Sequence, residues 1–310
     1  MKSARSMVAF VAIAAALGVT GCDAPGGSAS SGKAASGPVK ADASKWPAAI
    51  PQKGLARGLS LPLEDYMQTY EQTVVISQAV RNLQTECMAG FGFDFRPPPA
   101  GKTPPPNATD ANMERRYGIT DRDLAQKYGY GLGEAEEQTG SQMPNISKAA
   151  MVVLSGLSGA DRNAKPATSY EGKKIPKGGC SGWADDKIGA RDLDFSLAGR
   201  LNHESLVRSQ ESPEVRAALK QWSNCMKGKG YTVGLPFDAV ELAPAHGSAE
   251  QIQVAVADVD CKKSSRLVKT WFDQDAGIQR QQIEEHQLAL EEAKKENDSA
   301  VKAAEQALRD

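Results

Sequence analysis

The feature that most constrains this chain is a short motif that occurs twice. Residues 87–93 read Cys-Met-Ala-Gly-Phe-Gly-Phe and residues 225–231 read Cys-Met-Lys-Gly-Lys-Gly-Tyr, so both copies share Cys-Met-x-Gly-x-Gly-aromatic. Each copy ends an amphipathic segment and leads into a short aromatic run, which predicts a helix, a glycine turn and a strand. A further cysteine follows each copy, at Cys180 and Cys261, near the predicted start of a helix. We therefore expect a duplicated unit, whose two strands would pair in a small sheet.

The first 21 residues predict a secretory signal peptide. Lys2 and Arg5 give a positive start, and an unbroken apolar run follows from Met7 to Leu17. A helix needs about 20 apolar residues to cross a bilayer, so this run is too short to be a membrane span. No later stretch of the sequence is apolar enough either. We therefore expect residues 1–21 to be removed on export.

The end of that segment indicates how the exported chain is held. Val19-Thr20-Gly21-Cys22 resembles the lipobox of bacterial lipoproteins, in which the cysteine receives a diacylglyceryl group and becomes the first residue. The resemblance implies a lipid on Cys22 and a place on the outer face of the plasma membrane. Asp23 resembles the signal that retains such proteins at the inner membrane of two-membrane bacteria. An ordinary signal peptide with a chance cysteine is the alternative.

The four remaining cysteines would then lie in an oxidising compartment, where an even set predicts disulfide bonds. Three connectivities are possible, and the duplication favours Cys87–Cys180 and Cys225–Cys261. A site of four thiolates for a metal is the alternative, but no pair has the two-to-four residue spacing that such sites favour. In the chain-entropy model these bridges contribute about 4–5 and about 4 kcal/mol to stability.

Composition and periodicity divide the chain into four segments. The fold class that we predict is mainly α: a disulfide-stapled helical domain with at most a small two-stranded sheet, plus a long C-terminal helix. Ser248 and Gln251 resemble a capping box that opens this last helix, whose final third has few apolar positions. The predicted segments are a signal peptide (1–21), a lipidated Cys22 with a Gly/Ser/Ala tether (22–58), a helical domain with the duplicated unit and a Pro/Gly-rich insertion (59–247), and the C-terminal helix (248–310).

Charge and motif searches exclude several classes of function. The formal net charge is −1, and no basic field of the kind that binds nucleic acid is present. Gly156-Leu157-Ser158-Gly159 resembles a nucleophile elbow, but Ala160 replaces the required glycine. The three histidines, His203, His246 and His286, fit no zinc or triad pattern. We therefore predict no catalytic residue, metal or cofactor.

Three clusters remain as candidate binding groups, each with a simpler structural explanation. Carboxylates near residue 190 could hold calcium, although helix-start acids explain them as well. A basic loop could touch anionic lipid headgroups or wall polymers, and tyrosines among glycines could stack on a sugar. The alternatives are that the basic loop is simply exposed to solvent and that the tyrosines serve local packing. The clusters are Asp185, Asp186, Asp192 and Asp194; Arg162, Lys165, Lys173, Lys174 and Lys177; and Tyr117, Tyr128 and Tyr130.

Taken together, the lipobox, tether, Tyr-Gly-rich loop and repeated cysteine motif resemble cell-envelope lipoproteins of actinobacteria. The resemblance supports export and disulfides and implies no activity. We expect a non-enzymatic envelope protein that binds a protein partner or a wall component through its C-terminal helix or Tyr-Gly loop. The alternatives are a small-molecule or metal binder, and a cell-wall hydrolase or its accessory.

Overall fold

A computed structural model of the chain describes residues 42–102, 113–131, 144–159, 161, 163–242 and 248–309. The predicted signal peptide, Cys22 and most of the predicted tether lie outside these residues. The predicted mainly α fold is confirmed. The α-helices of the described residues are α1 (Tyr70–Gly90), α2 (Arg122–Tyr128), α3 (Lys148–Ser155), α4 (Gly179–Ile188), α5 (Ser196–Gln210), α6 (Pro213–Gly228), α7 (Ala249–Ser264) and α8 (Leu267–Ala307).

The two copies of the repeated motif form the same helix end. In the first, the Phe93 N–H donates to the Met88 carbonyl over 3.0 Å, and in the second Tyr231 donates to Met226 over 2.9 Å. Gly92 and Gly230 reverse the chain at φ values of +84° and +94°. Such positive values favour glycine, which explains the second glycine of each motif.

Both disulfide bonds are formed. Cys87 on α1 bonds to Cys180 on α4, and Cys225 on α6 bonds to Cys261 on α7, each with Cα atoms 5.6 Å apart. This is the connectivity that the duplication favours. The copies differ in the second cysteine, because Cys180 lies in the first turn of α4 whereas Cys261 lies near the end of α7. The prediction that both lie near the start of a helix is therefore wrong for Cys261.

The predicted strands after each motif are absent from residues 91–95 and 231–233. Phe93 packs instead against Tyr170, with ring centroids 5.2 Å apart, and Phe95 is buried in the core beside the first disulfide. Each of these aromatic side chains packs separately against a loop or a helix, so the segment needs no neighbouring strand to cover it. The two-stranded antiparallel sheet lies elsewhere, between β1 (Ser169–Tyr170) and β2 (Lys173–Lys174).

A local signal places the start of α7 correctly. Ser248 caps α7 by accepting the Gln251 N–H, as the predicted capping box requires. Before α1, Pro62–Tyr66 form a 3-10 helix, and α1 begins at Tyr70, where the Thr69 side chain caps it. Two other 3-10 helices span Ala43–Lys45 and Pro236–Leu242.

The C-terminal tract predicted as one helix from Ser248 consists of α7 and α8. Arg266 separates them with a left-handed φ of +55°, and the long helix α8 follows from Leu267 to Ala307. It is bent at His286, whose φ and ψ of −119° and 17° are not helical. The final third has few apolar positions in the sequence, but it is docked: Ala300 and Ala304 pack on Ile76 and Ala79 of α1.

Helix α8 connects the cores of the described structure. It packs against α1, α4, α5, α6, α7 and the 3-10 helix at Pro62–Tyr66. Its first half contributes Trp271 to the main core, which also contains Trp222, and both indole rings are fully buried. A separate core surrounds the Cys87–Cys180 bridge.

Candidate functional site

A fully buried ion pair joins two residues of α7. The Lys262 Nζ lies 3.0 Å from Asp258 Oδ2, and neither side chain is exposed. Lys262 also donates to the Ile119 carbonyl over 2.8 Å, and Trp222 Nε1 donates to Asp258 Oδ1 over 2.9 Å. Burial raises the pKa of Asp258 and lowers the pKa of Lys262, because a low-dielectric interior disfavours both charges. Their mutual attraction opposes both changes.

A second buried network centres on Asp275 of α8. Arg116 Nε lies 2.6 Å from Asp275 Oδ2, and the Tyr117 hydroxyl donates to the same oxygen over 2.8 Å. Arg116 also donates to the Asn202 carbonyl of α5 over 2.8 Å. The Tyr117 ring stacks on Trp271 at 5.0 Å. Two consecutive residues of an irregular segment thus fix that segment to α5 and α8.

These networks remove the predicted tyrosine platform from the surface. Tyr117 is fully buried, and the Tyr130 hydroxyl donates to Asp258 Oδ2 over 3.3 Å. Burial and the nearby carboxylates raise the pKa of both tyrosines. Tyr128 ends α2 beside the Lys127 ammonium. The three rings therefore do not form an open surface for stacking on a sugar, and Tyr117 and Tyr130 hold the Tyr-Gly segment against α7 and α8.

The carboxylates near residue 190 are used in local structure. Asp186 pairs with Arg191, which lowers the pKa of Asp186, and Asp194 accepts the Ser196 N–H at the start of α5. Burial raises the pKa of Asp185. Within the part of the chain that the structure describes, no group of three His, Cys, Asp or Glu side chains could hold a metal ion. The calcium interpretation therefore has no geometric support.

The other sequence candidates are structural or exposed. Gly156 ends α3 in the left-handed region, where a Cβ would overlap the backbone of Gly179. Ser158 donates its backbone N–H to the Lys165 carbonyl, as part of a turn and not of a nucleophile elbow. His203 is exposed on α5 and His286 lies at the bend of α8. Arg162, His246 and Cys22 lie outside the described residues.

A small cleft lies beside Glu64, between the 3-10 helix at Pro62–Tyr66 and α8. Its volume is about 170 Å³, and Lys294 and Asn297 line its α8 side. Ser60 donates to Glu64 Oε2 over 2.6 Å, while Glu64 Oε1 is buried without a hydrogen-bond partner. Burial raises the pKa of Glu64 from 4.5 to about 7. In the described residues, the other buried side-chain atoms without a hydrogen-bond partner are the amide nitrogen and oxygen of Gln282.

A larger groove runs between the end of α4 and the second half of α8. Its volume is about 480 Å³, with an apolar floor that includes Ile188 and Ala300. Acidic residues outnumber basic ones on its rim, where Asp192, Glu292 and Glu296 surround Lys295. The groove therefore combines apolar and acidic surface, which suits a partner segment with apolar and basic side chains.

Sequence reasoning missed Glu64 and both buried ion networks. Asp258 and Lys262 have the four-residue spacing that places two side chains on one helix face, and this spacing is the sequence signal that could have indicated their ion pair.

Comparison with protein-family models, curated proteins and solved structures gives no match for this chain. In the described ranges, no helix combines the length and the apolar character needed to span a bilayer.

Proposed function

We propose that this chain is an exported lipoprotein, held on the outer face of the plasma membrane by lipid on Cys22, whose folded part binds a partner. The observation that carries the proposal is the division of the five cysteines. Four are joined in two disulfide bonds, and the fifth is Cys22 within the lipobox-like sequence. Disulfide bonds are typical of exported proteins, so this division supports both export and a separate role for Cys22.

The geometry favours binding over catalysis. Asp258 and Asp275, which are both fully buried, are each paired with a cation and with at least one aromatic hydrogen-bond donor. A carboxylate held in this way is committed to the interior and does not line a cleft. The acidic groove between α4 and α8 offers a place for a protein or wall partner. It replaces the predicted binding surface on the Tyr-Gly loop.

The cleft beside Glu64 supports a second candidate function, the binding of a small ligand. Its size and its half-buried carboxyl suit a small polar molecule with a hydrogen-bond donor. Thermal melts of the processed chain with divalent cations, amines and sugars test this function. A ligand at 100 times its dissociation constant adds about 2.7 kcal/mol of stability. A shift that is lost in Glu64→Gln supports the second function, and no shift with any of these ligands contradicts it.

The anchoring proposal is tested by fractionating cells that express the native chain, Cys22→Ala or the control Ser28→Ala. Each buried methylene contributes about 0.8 kcal/mol to membrane binding, so two or three acyl chains prevent release. We expect the native chain and Ser28→Ala to incorporate radioactive palmitate and to remain in the membrane fraction after a high-salt wash. Cys22→Ala should lose the label and become soluble. The proposal is wrong if Cys22→Ala stays with the membrane after that wash.

A further inference from the structure

The segment that carries the small sheet is strongly basic compared with the rest of the chain. Residues 144–180 contain six Lys or Arg and two acidic residues, a net charge of +4 in a chain whose overall charge is −1. The centre of this charge is the basic hairpin, which we define as residues 165–177. In the described residues it carries exposed Lys165, Lys173 and Lys174. The rest of the chain is correspondingly acidic.

The hairpin is held in a defined shape. Ser169 pairs with Lys174 and Tyr170 pairs with Lys173, with a two-residue turn between the strands. Both turn residues have positive φ, at +45° for Glu171 and +76° for Gly172, which matches the right-handed twist of a hairpin. Both lysines of β2 are exposed, and as consecutive strand residues they lie on opposite faces of the hairpin.

Two further contacts connect the hairpin rigidly to the helices. The Tyr170 ring packs on Phe93, and Lys173 Nζ donates to the Gly90 carbonyl at the end of α1 over 2.7 Å. Just beyond the hairpin, Cys180 forms the disulfide bond to Cys87. The basic charge is therefore presented by a fixed surface and not by a mobile side loop.

The lysines of the hairpin are available for an external anion. None of Lys165, Lys173 and Lys174 forms an ion pair with a residue in the described ranges. Glu171 is the one acidic residue within the hairpin sequence. Lys177 faces Asp186, which is itself paired with Arg191, so it contributes less.

We infer that the basic hairpin is a membrane-contact surface that binds anionic lipid headgroups. The inference rests on the proposed anchoring, because a tether on Cys22 keeps the folded part close to the bilayer. The 19 residues between Cys22 and the first described residue, Asp42, can reach at most about 70 Å, so a lipid on Cys22 would hold the hairpin at a high effective concentration beside the bilayer. Each lysine near an anionic surface strengthens binding by about 1 kcal/mol, or about 5-fold.

The test measures binding of the processed, unlipidated chain to lipid vesicles. Residues 22–310 with Cys22→Ala are mixed with vesicles of pure phosphatidylcholine, or with 30% phosphatidylglycerol, and bound protein is recovered by flotation. We expect binding to the anionic vesicles only, and its loss at high salt, where the Debye length is about 3 Å at 1 M. Because this chain carries no lipid, the result is independent of whether Cys22 is acylated in cells.

Matched variants assign the binding to the hairpin. Lys165→Gln with Lys174→Gln should weaken binding about 25-fold, from two lysines at about 5-fold each. Adding Lys173→Gln should weaken it further, although this change also removes the bond to Gly90. Lys220→Gln with Lys227→Gln, two exposed lysines of α6, is the control and should have little effect. A melt of each variant verifies that it is folded.

Three results would overturn the inference. One is equal binding to neutral and anionic vesicles, and another is the same loss in the hairpin and α6 variants. The third is a hairpin-dependent affinity for soluble poly(glycerol phosphate) without binding to anionic vesicles, which would assign the surface to wall polymer. If Cys22→Ala stays in the membrane fraction of cells while the processed chain binds anionic vesicles, the lipid anchor is rejected and the membrane-contact role of the hairpin is retained.

Discussion

The ammonium of Lys262 lies 3.0 Å from a carboxylate oxygen of Asp258, and both side chains are fully buried one turn apart on α7. Removing one member of such a pair leaves an uncompensated charge in the interior, at a cost of about 3–5 kcal/mol. We therefore expect Asp258→Asn to lower the free energy of unfolding by that amount. Adding Lys262→Met should recover part of the loss, because it removes the unpaired ammonium.

Denaturant unfolding of the two single variants and the double variant measures this coupling. The exposed pair Lys269–Asp273 on α8 has the same four-residue spacing and is the matched control. Removing Asp273 should cost less than about 1 kcal/mol, because solvent screens an exposed pair. Equal losses at Asp258 and Asp273 would contradict the prediction.

The glycines of the repeated motif provide a second prediction. Gly92→Ala and Gly230→Ala should each destabilise the protein by about 1–2 kcal/mol, because alanine is strained at a positive φ. Gly90→Ala and Gly228→Ala are the controls, since these glycines are helical and have open space around a Cβ. We expect the controls to gain about 0.5–1 kcal/mol. Thermal melts of the four variants test this assignment, which is wrong if both glycine substitutions in one motif shift the melting temperature in the same direction.

Glu64 should make stability depend on pH. Its pKa rises from 4.5 to about 7 on folding, so its protonated form stabilises the fold below pH 4.5, and that contribution is lost as pH rises through 7. Since the carboxyl is partly exposed, the loss is about 1–2 kcal/mol after screening. Glu64→Gln should therefore raise the melting temperature at pH 8 and leave it unchanged at pH 4.

Melts of the native chain, Glu64→Gln and Asp65→Asn at both pH values test this dependence. Asp65 is the exposed neighbour of Glu64, so Asp65→Asn is the matched control for removing one carboxylate beside the cleft. An equal gain for Glu64→Gln at both pH values would mean that the glutamate is charged throughout, and the predicted protonation would be wrong.

The two disulfide bonds should contribute unequally. The Cys87–Cys180 bridge joins residues 93 apart and the Cys225–Cys261 bridge joins residues 36 apart. Chain entropy predicts that the first stabilises the protein by about 0.8 kcal/mol more than the second. Denaturant unfolding of Cys87→Ser/Cys180→Ser and of Cys225→Ser/Cys261→Ser measures the two losses. A larger loss for the second pair would show that native-state packing, and not loop length, decides the order.

The parts of the fold that local chemistry decides were predictable from the sequence. The capping serine Ser248, the glycines Gly92 and Gly230 and the pairing of the four cysteines depend on short patterns or on the duplication. The strands predicted at residues 91–95 and 231–233 are wrong, because a short alternating aromatic run also suits residues that bury one by one in loops.

The buried networks were beyond local reasoning. Arg116 and Asp275 are 159 residues apart, and the Ile119 carbonyl that accepts from Lys262 is 143 residues away. Nothing near Tyr117 in the sequence indicates that its ring meets Trp271 instead of solvent. Glu64 has an ordinary sequence context, and its raised pKa depends on burial that arises only when α8 packs against it.

Helix α8 follows in the chain every element that it packs against. During synthesis, α1, α4, α5 and α6 emerge before the surface that covers them, so each has an exposed apolar face until residues 267–307 arrive. On the export route that we propose, the chain would therefore stay incompletely folded while most of it crosses the membrane, which is the state that passage through a narrow translocation channel requires. Arg116 likewise has no carboxylate partner in Asp275 until that late stage, so the order of emergence delays closure of the interior until nearly the whole chain has been made.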